Sequence, residues 1–294
     1  MIRIQNIRLL PLCVLIPMLL SSCELNWRAE SMVFEPKIAV EGWIDEGLFA
    51  NVILTQSMKF NFESDSDSVD LKDIPIRWAK VSVSDGQTEE ILVGRMDDRY
   101  FPPFIYTGSK LRGEAGKTYT LTISYSGRTL TAQTRIPEPV HIDDVEIAES
   151  EESDTLYTVD ISFRDDPTEE NYYKVFTRVT PGNTRYLSSF MGTVSDQTIS
   201  SGHKGTINVS RPLSQINKME DYTPFFKRGD TVEVKLTQLP KEGFDFWCDY
   251  ENALTSGDNI LFPSSANIRS NISGGLGIWC GYGTDIRTVI IPEE

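Results

Sequence analysis

The sequence predicts a mainly β protein with two β-sandwich-like domains, the second of which carries one short helix. Three observations support this prediction: apolar and polar residues alternate along many short segments from residue 36 onward, turn residues separate the segments, and one segment shows helical spacing. A period of two is typical of strands that bury one face. Many short strands between turns favour sandwiches over a sheet with crossover helices.

The N-terminus has the features of an export signal. Arg3 and Arg8 lie before an apolar run over residues 9–20. This run is shorter than the roughly 20 residues that a helix needs to cross a bilayer. A basic stretch followed by a short apolar run is typical of a signal peptide. We therefore expect residues 1–22 to be removed on export.

The end of this signal predicts lipid attachment. Leu20-Ser21-Ser22-Cys23 resembles the bacterial lipobox, in which a peptidase cuts before a diacylglyceryl-modified cysteine. We expect Cys23 to carry acyl chains such as palmitate, which anchor a protein stably when several are present. Residues 23–35 then form a polar tether. The alternative is an ordinary secretory signal followed by an incidental cysteine.

The charge balance excludes several partner classes. The chain has 294 residues, with 28 Lys and Arg against 43 Asp and Glu, and a net charge of −15. A surface this acidic repels phosphate backbones, which argues against nucleic-acid binding. It also argues against docking on anionic lipid through a basic patch. We expect membrane contact through the acyl anchor alone.

The first domain is predicted over residues 36–137 as an immunoglobulin-like sandwich. Alternation marks strands around residues 38–44, 81–83, 119–125 and 130–134. Ser126-Gly127 lies between the last two and is typical of a two-residue hairpin turn. Ile136-Pro137-Glu138-Pro139 then interrupts the pattern, because proline cannot donate to a strand ladder. We interpret these four residues as a linker between independently packed domains, followed by an acidic stretch accessible to proteases.

The second domain is predicted over residues 138–294. Alternation returns around residues 157–163, 173–179, 231–236 and 287–291. Phe244, Trp247, Cys248, Glu251 and Leu254 recur at intervals of three and four, which predicts a helix that covers one sandwich face. Gly274-Gly275-Leu276-Gly277 lacks the Lys and Ser/Thr of a phosphate loop and favours a tight turn.

Two cysteines remain in the mature domains, Cys248 and Cys280. An exported chain permits a disulfide between them. Two buried free thiols are the alternative, since unpaired cysteines are common as small core residues. No cysteine and histidine spacing suggests zinc, and we expect no metal site in the protein.

Catalytic patterns are nearly absent, so we expect no enzyme and no cofactor. The histidines are His141 and His203, and neither a G-x-S-x-G elbow nor an H-E-x-x-H pair occurs. Asp65, Asp67 and Asp70 alternate within residues 63–73, where carboxylates attract calcium. The glycine and glutamate of an EF-hand loop are missing there, which favours a solvated acidic loop.

Four tryptophans are candidate stacking platforms for a ligand: Trp43, Trp78, Trp247 and Trp279. Each lies in or beside an apolar pattern. Core packing is therefore the preferred interpretation for at least three of them.

Several segments together resemble one family. They are the signal with Cys23, the strand over residues 37–44, Gly116-Lys117-Thr118-Tyr119, Phe163-Arg164-Asp165-Asp166-Pro167, and the glycine-rich end over residues 270–282. In this order they resemble the domain-of-unknown-function 4249 family of Bacteroidota outer-membrane lipoproteins. A cysteine at Cys280 departs from the pattern we expect of that family.

The resemblance implies a non-enzymatic, lipid-anchored accessory protein of the outer membrane, with the cell surface as the favoured side. It implies a TonB-dependent receptor as the partner and help in nutrient capture as the role. Two alternatives remain open: a free-standing glycan- or peptide-binding module, and a structural or adhesive surface protein. An aromatic groove favours the first alternative, whereas a flat apolar patch favours a protein partner.

Overall fold

A computed structural model describes residues 36–57, 74–166, 168–198, 204–212, 222–256 and 267–293. From Pro36 onward the chain forms one unit. Its strands are β1 (Ile38–Asp45), β2 (Phe49–Gln56), β3 (Lys80–Ser84), β4 (Glu89–Ile91), β5 (Val93–Met96), β6 (Phe104–Arg112), β7 (Thr118–Tyr125), β8 (Arg128–Arg135), β9 (Ile142–Ser150), β10 (Ser153–Arg164), β11 (Tyr172–Thr180), β12 (Leu187–Ser195), β13 (Lys204–Val209), β14 (Phe226–Lys227), β15 (Thr231–Gln238) and β16 (Leu276–Ile290). A 3-10 turn covers Asp196–Thr198, and helix α1 covers Lys241–Ser256.

The first sandwich packs the sheet β4-β3-β7-β8 against β5, β6, β2, β1 and the first half of β16. Alternation builds its core, because Val40, Leu121 and Trp279 point between the sheets and are at most 3% exposed. The predicted hairpin at Ser126-Gly127 is confirmed, and both residues have positive φ. This left-handed pair is the turn that matches the twist of the flanking strands.

The second sandwich packs β9, β10, β13 and β14 against β12, β11, β15 and the second half of β16. Phe163, Val175 and Val234 are fully buried between these sheets. The acidic stretch after the linker belongs to this sandwich, since β9 pairs with β10 along most of its length. The backbone of this stretch is therefore paired, which counts against the expected cleavage by proteases, although most of its side chains are exposed.

Strand β16 joins the two sandwiches. Its residues 276–282 pair in parallel with β1, and its residues 283–290 pair antiparallel with β15. The result is one eight-stranded sheet, in the order β12-β11-β15-β16-β1-β2-β6-β5, which we call the joined sheet. The prediction of two independently packed domains split near residue 137 was wrong, because the C-terminal strand completes the first sandwich as well as the second.

The predicted linker is part of this packing. Ile136 is fully buried in the first core. A Cβ atom added to Gly283 of β16 would lie 2.4 Å from the carbonyl oxygen of Pro137. The linker backbone therefore lies directly against the joining strand, and only glycine permits this approach.

Helix α1 confirms the predicted helix and covers the joined sheet on the side opposite both cores. Gly243 lies over Cys280, so that an added Cβ atom would lie 2.5 Å from its sulfur. Cys248 follows five residues later, about 7.5 Å along the helix axis and on another side of it. Both cysteines are free thiols, which corrects the disulfide alternative.

Candidate functional site

The outer face of the joined sheet, meaning the face opposite both cores, carries charged and aromatic side chains. On β15 the core positions are Val232, Val234 and Leu236, whereas Glu233 and Lys235 point outward between them. The same alternation places charged or aromatic residues on the outer face of β1, β11 and β16. Helix α1 covers part of this face, so its polar groups are partly withdrawn from water.

An ion pair links the two sandwiches on this face. Lys235 Nζ of β15 lies 2.5 Å from Asp45 Oδ1 of β1, and both side chains are at least nine-tenths buried. Thr284 donates a hydrogen bond of 3.1 Å to the same carboxylate. The ammonium lies 5.5 Å from the ring centroids of three aromatic residues, Phe176, Tyr186 and Tyr282. A charge withdrawn from water is compensated here by a carboxylate and by aromatic faces.

A second buried pair holds helix α1 to the sheet. Lys174 of β11 is fully buried, and its ammonium bonds to Glu251 of α1 and to the carbonyl oxygen of Ser189 at 3.2 Å. Thr193 donates to Glu251 at 2.9 Å. Burial lowers the pKa of Lys174, and the adjacent carboxylate opposes that shift. The helix position is therefore specified by a charge pair as well as by apolar contact.

A third, more exposed cluster lies at the edge of the same face. Arg178 and Tyr186 both donate to Glu233 at 2.5 Å, one to each carboxylate oxygen. The hydrogen bond from Arg178 lowers the pKa of Glu233. Burial and the same carboxylate raise the pKa of Tyr186. This cluster fixes Tyr186 at the end of the segment that joins β11 and β12.

These groups surround a cavity of about 650 Å³, which has a floor and three walls. The joined sheet forms the floor. Helix α1 supplies one wall through Phe246, Trp247 and Tyr250. The other walls are the loop over residues 97–103 of the first sandwich and the loop over residues 181–186 of the second.

The two loops meet over the cavity. The guanidinium of Arg185 lies 5.1 Å from the ring centroid of Tyr100, and the Tyr100 ring lies 5.9 Å from that of Trp43 on the floor. Asp97 holds the first loop in place, because it accepts hydrogen bonds of 2.8 and 2.6 Å from Arg99. These bonds lower the pKa of Asp97 to about 2.

Glu41 is the exceptional acid of the cavity. It points outward from β1 and lines the cavity, where its side chain remains exposed to solvent. Burial raises the pKa of Glu41, and the charge of Arg185 opposes this shift. Among the residues that the structure describes, neither Glu41 nor Arg185 has an oppositely charged partner within 4.0 Å. Glu46 also lines the cavity and has no such partner among the described residues, so the cavity presents two acids and one base that are not neutralised by direct contact.

This arrangement suits binding. An apolar pocket with a few fixed polar groups is typical of sites for small organic ligands. Lys174 is enclosed by its own partners, so it offers no free nucleophile.

Over the described ranges, no group of three or more His, Cys, Asp or Glu residues is arranged to hold a metal ion. In the same part of the chain, no helix has the length and apolarity to cross a bilayer.

The structure separates the four tryptophans. Trp43 and Trp247 are partly buried and line the cavity, whereas Trp279 is fully buried in the first core. Trp78 is 90% exposed. The preference for core packing of at least three is confirmed, because Trp43 and Trp247 pack against the apolar cluster under α1 while they also line the cavity.

Other sequence-predicted sites lie elsewhere. Cys23 and the acidic segment 63–73 fall outside the described residues, as does His203. His141 is exposed and its Nδ1 lies 3.7 Å from Asp285, and neither residue lines the cavity. The glycine-rich segment forms the predicted turn, with positive φ at Gly274 and Gly277.

Sequence reasoning did not find most of the cavity. Glu41, Phe176, Arg185, Tyr186 and Lys235 were not singled out as site residues. One signal was present, because Lys174 and Lys235 each stand in the middle of an apolar strand. Alternation alone assigns such residues to solvent, whereas α1 covers Lys174 and the rings of Phe176, Tyr186 and Tyr282 surround Lys235.

Comparisons with known proteins identify the family of the chain. No curated protein matches the chain. Among solved structures, Escherichia coli alpha-2-macroglobulin activated by porcine elastase is matched at 11% identity with a TM-score of 0.20, over 87% of this chain and 23% of that one. The chain thus spans about a quarter of that structure's length. A family model described as a domain of unknown function, DUF4249, matches residues 25–287. The chain therefore belongs to the DUF4249 family.

Proposed function

We propose that the protein is a non-enzymatic, lipid-anchored capture protein that holds a small organic ligand in the cavity over the joined sheet. The observation that carries this proposal is the cavity itself. Its volume of about 650 Å³ lies in the range of small-molecule sites, and nine of its 27 lining residues are aromatic. Stacking surfaces together with an unpaired acid and base give a ligand both affinity and orientation.

The location and the partner extend this proposal. Cys23 anchors the mature protein in the outer membrane, with the cell surface as the favoured side, and a TonB-dependent receptor takes the captured nutrient. Confinement to the membrane plane raises the effective concentration of both proteins, so a modest interface suffices. A free-standing glycan- or peptide-binding module is the second candidate, and the aromatic cavity supports it equally. A purely structural or adhesive role leaves the cavity without a purpose.

A dye-binding experiment tests the cavity. Anilinonaphthalene sulfonate fluoresces when it enters an apolar site, and we expect the mature protein to enhance its emission. Ser188 lines the cavity, so Ser188→Trp fills it. Ser124 is an exposed serine on β7 and gives the matched control, Ser124→Trp. We expect Ser188→Trp to lose the emission and Ser124→Trp to keep it, with unchanged circular dichroism. Equal emission from both variants contradicts the proposal.

A purification experiment tests the partner. We expect a C-terminally tagged protein, extracted in mild detergent, to retain a TonB-dependent receptor at low salt. The chain is strongly acidic, so we expect high salt to weaken the association. Mass spectrometry identifies what remains bound. Recovery of the tagged protein alone at both salt concentrations, in detergent that preserves other receptor complexes, contradicts the transporter role and favours the free-standing module.

A further inference from the structure

We propose that the ligand of the cavity is a small zwitterion with an apolar side chain, namely a hydrophobic amino acid or dipeptide. This inference rests on the proposed function, since it names the ligand class of the same cavity. The geometry that carries it is the pair Glu41 and Arg185, which face one cavity without contacting each other.

The charged residues around the cavity divide into two groups. Asp45, Arg178, Lys235 and Glu251 line it, but each is bonded to an opposite charge within the protein. Arg99 is likewise paired, with Asp97. Glu41, Glu46 and Arg185 are not paired with any of the residues described. Glu41 is exposed and Arg185 is half-buried, so both charges are available to a ligand that enters the cavity.

The signs of these two residues define the ligand. A carboxylate attracts an ammonium, and a guanidinium binds a carboxylate through paired hydrogen bonds. Glu41 and Arg185 are farther apart than the 4.0 Å of a direct ion pair, yet Arg185 affects the titration of Glu41. The termini of a dipeptide are separated charges, since two extended residues reach at most about 7 Å, so a ligand of this class contacts an acid and a base that do not contact each other.

The neutral part of the cavity defines the side chain. Trp43 on β1 and Phe246 and Trp247 on α1 line it, and Phe176 lies on its floor. Aromatic walls favour apolar and aromatic groups through surface burial and ring contacts. Glu46, which follows the end of β1, also lines the cavity and adds a second carboxylate for an ammonium group. A lone cation or a lone anion leaves either Arg185 or Glu41 without a partner, and a sugar leaves both without one.

Calorimetric titration of the full mature protein in detergent tests this inference. The probes are L-phenylalanine and L-phenylalanyl-L-phenylalanine, each compared with its N-acetyl derivative and its C-terminal amide. We expect at least one free zwitterion to bind. Each capped form should bind about 10- to 100-fold more weakly, since it loses one charged hydrogen-bonding group.

Two variants assign the termini. Glu41→Gln should reduce zwitterion affinity to the level of the acetylated probe, and Arg185→Gln should reduce it to the level of the amide. Glu149→Gln and Arg164→Gln change the same charges at exposed positions away from the cavity and should have no effect. The effects of the variant and of the cap should not add: Glu41→Gln should leave the affinity for the acetylated probe unchanged, because that probe has no ammonium group for Glu41 to bind.

Failure of this inference is distinguishable from failure of the proposed function. Equal affinity for free and capped probes overturns the zwitterion assignment. Absence of binding by every probe at millimolar concentration also overturns it, while dye emission that is sensitive to Ser188→Trp still supports a ligand cavity. Loss of both the probe and the dye signals overturns the proposed function as well.

Discussion

The two faces of the joined sheet are built from opposite chemistry: one is closed into the two cores, and the other is partly covered by α1 and open at the cavity. On the core face of β15, Val234 and Leu236 are fully buried among aliphatic side chains. On the outer face of the same strand, Lys235 is 7% exposed and bonded to Asp45. The apolar face needs only complementary shape, whereas the polar face needs a specific partner for each charge.

This difference separates stability from function. Replacing a buried ion pair with apolar residues of similar volume is often neutral or stabilising. The outer face nevertheless retains two such pairs, together with an unpaired acid at Glu41. The core face accounts for the stability of the fold. The charges of the outer face are accounted for by the cavity, whose floor this face forms.

The largest expected effect comes from breaking one buried pair. Lys174→Met leaves Glu251 buried without its cation, and we expect a loss of about 3–5 kcal/mol in the free energy of unfolding. The double variant Lys174→Met, Glu251→Leu should recover most of that loss, because no charge remains unpaired. Denaturant unfolding measures all three proteins. If the double variant is as unstable as the single one, the pair is not the source of the effect.

Replacing one side chain on each face of the joined sheet with alanine compares the stability that the two faces contribute. Leu236→Ala on the core face should cost about 2–5 kcal/mol, as for other buried leucines. Trp43→Ala on the outer face removes a larger side chain that is only partly buried against the cavity, and we expect about 1 kcal/mol. Chemical denaturation measures both. A larger cost for Trp43→Ala assigns Trp43 to the core and removes it from the site.

The contact between α1 and the sheet is a smaller test. Gly243→Ala places a methyl group against Cys280, and we expect overpacking to cost about 1–3 kcal/mol. Cys280→Ala in the same chain opens space and should restore part of the loss. The thermal midpoints of the single and double variants measure this coupling. Independent, additive effects contradict the close approach of the helix.

The strands with clean alternation were predictable from the sequence, because their two faces meet different surroundings. Segments 119–125 and 231–236 are examples, and both are strands. Strand β9 was missed, since its apolar residues Val145 and Ile147 stand among acidic ones. The parallel pairing of β1 with β16 carries no local signal, because it joins residues more than 200 positions apart.

The site was less predictable than the fold. Trp43 and Trp247 were identified as aromatic candidates, and both line the cavity. Glu41 looked like an ordinary solvent-facing residue of an alternating strand. Its environment depends on a helix and on Arg185, which lies in a loop of the other sandwich. The alternation of residues within β1 predicts neither of these neighbours.

The thermal stability of Glu41→Gln across pH tests the central claim most directly. Burial raises the pKa of Glu41 above its ordinary 4.5, so ionisation opposes folding as the pH rises through that raised pKa. Glutamine does not ionise. We therefore expect the variant to melt at a higher temperature than the wild type at neutral pH, with the difference vanishing below about pH 4.5. A variant that melts lower at neutral pH shows that Glu41 has a stabilising partner, and this contradicts an unpaired ligand-binding carboxylate.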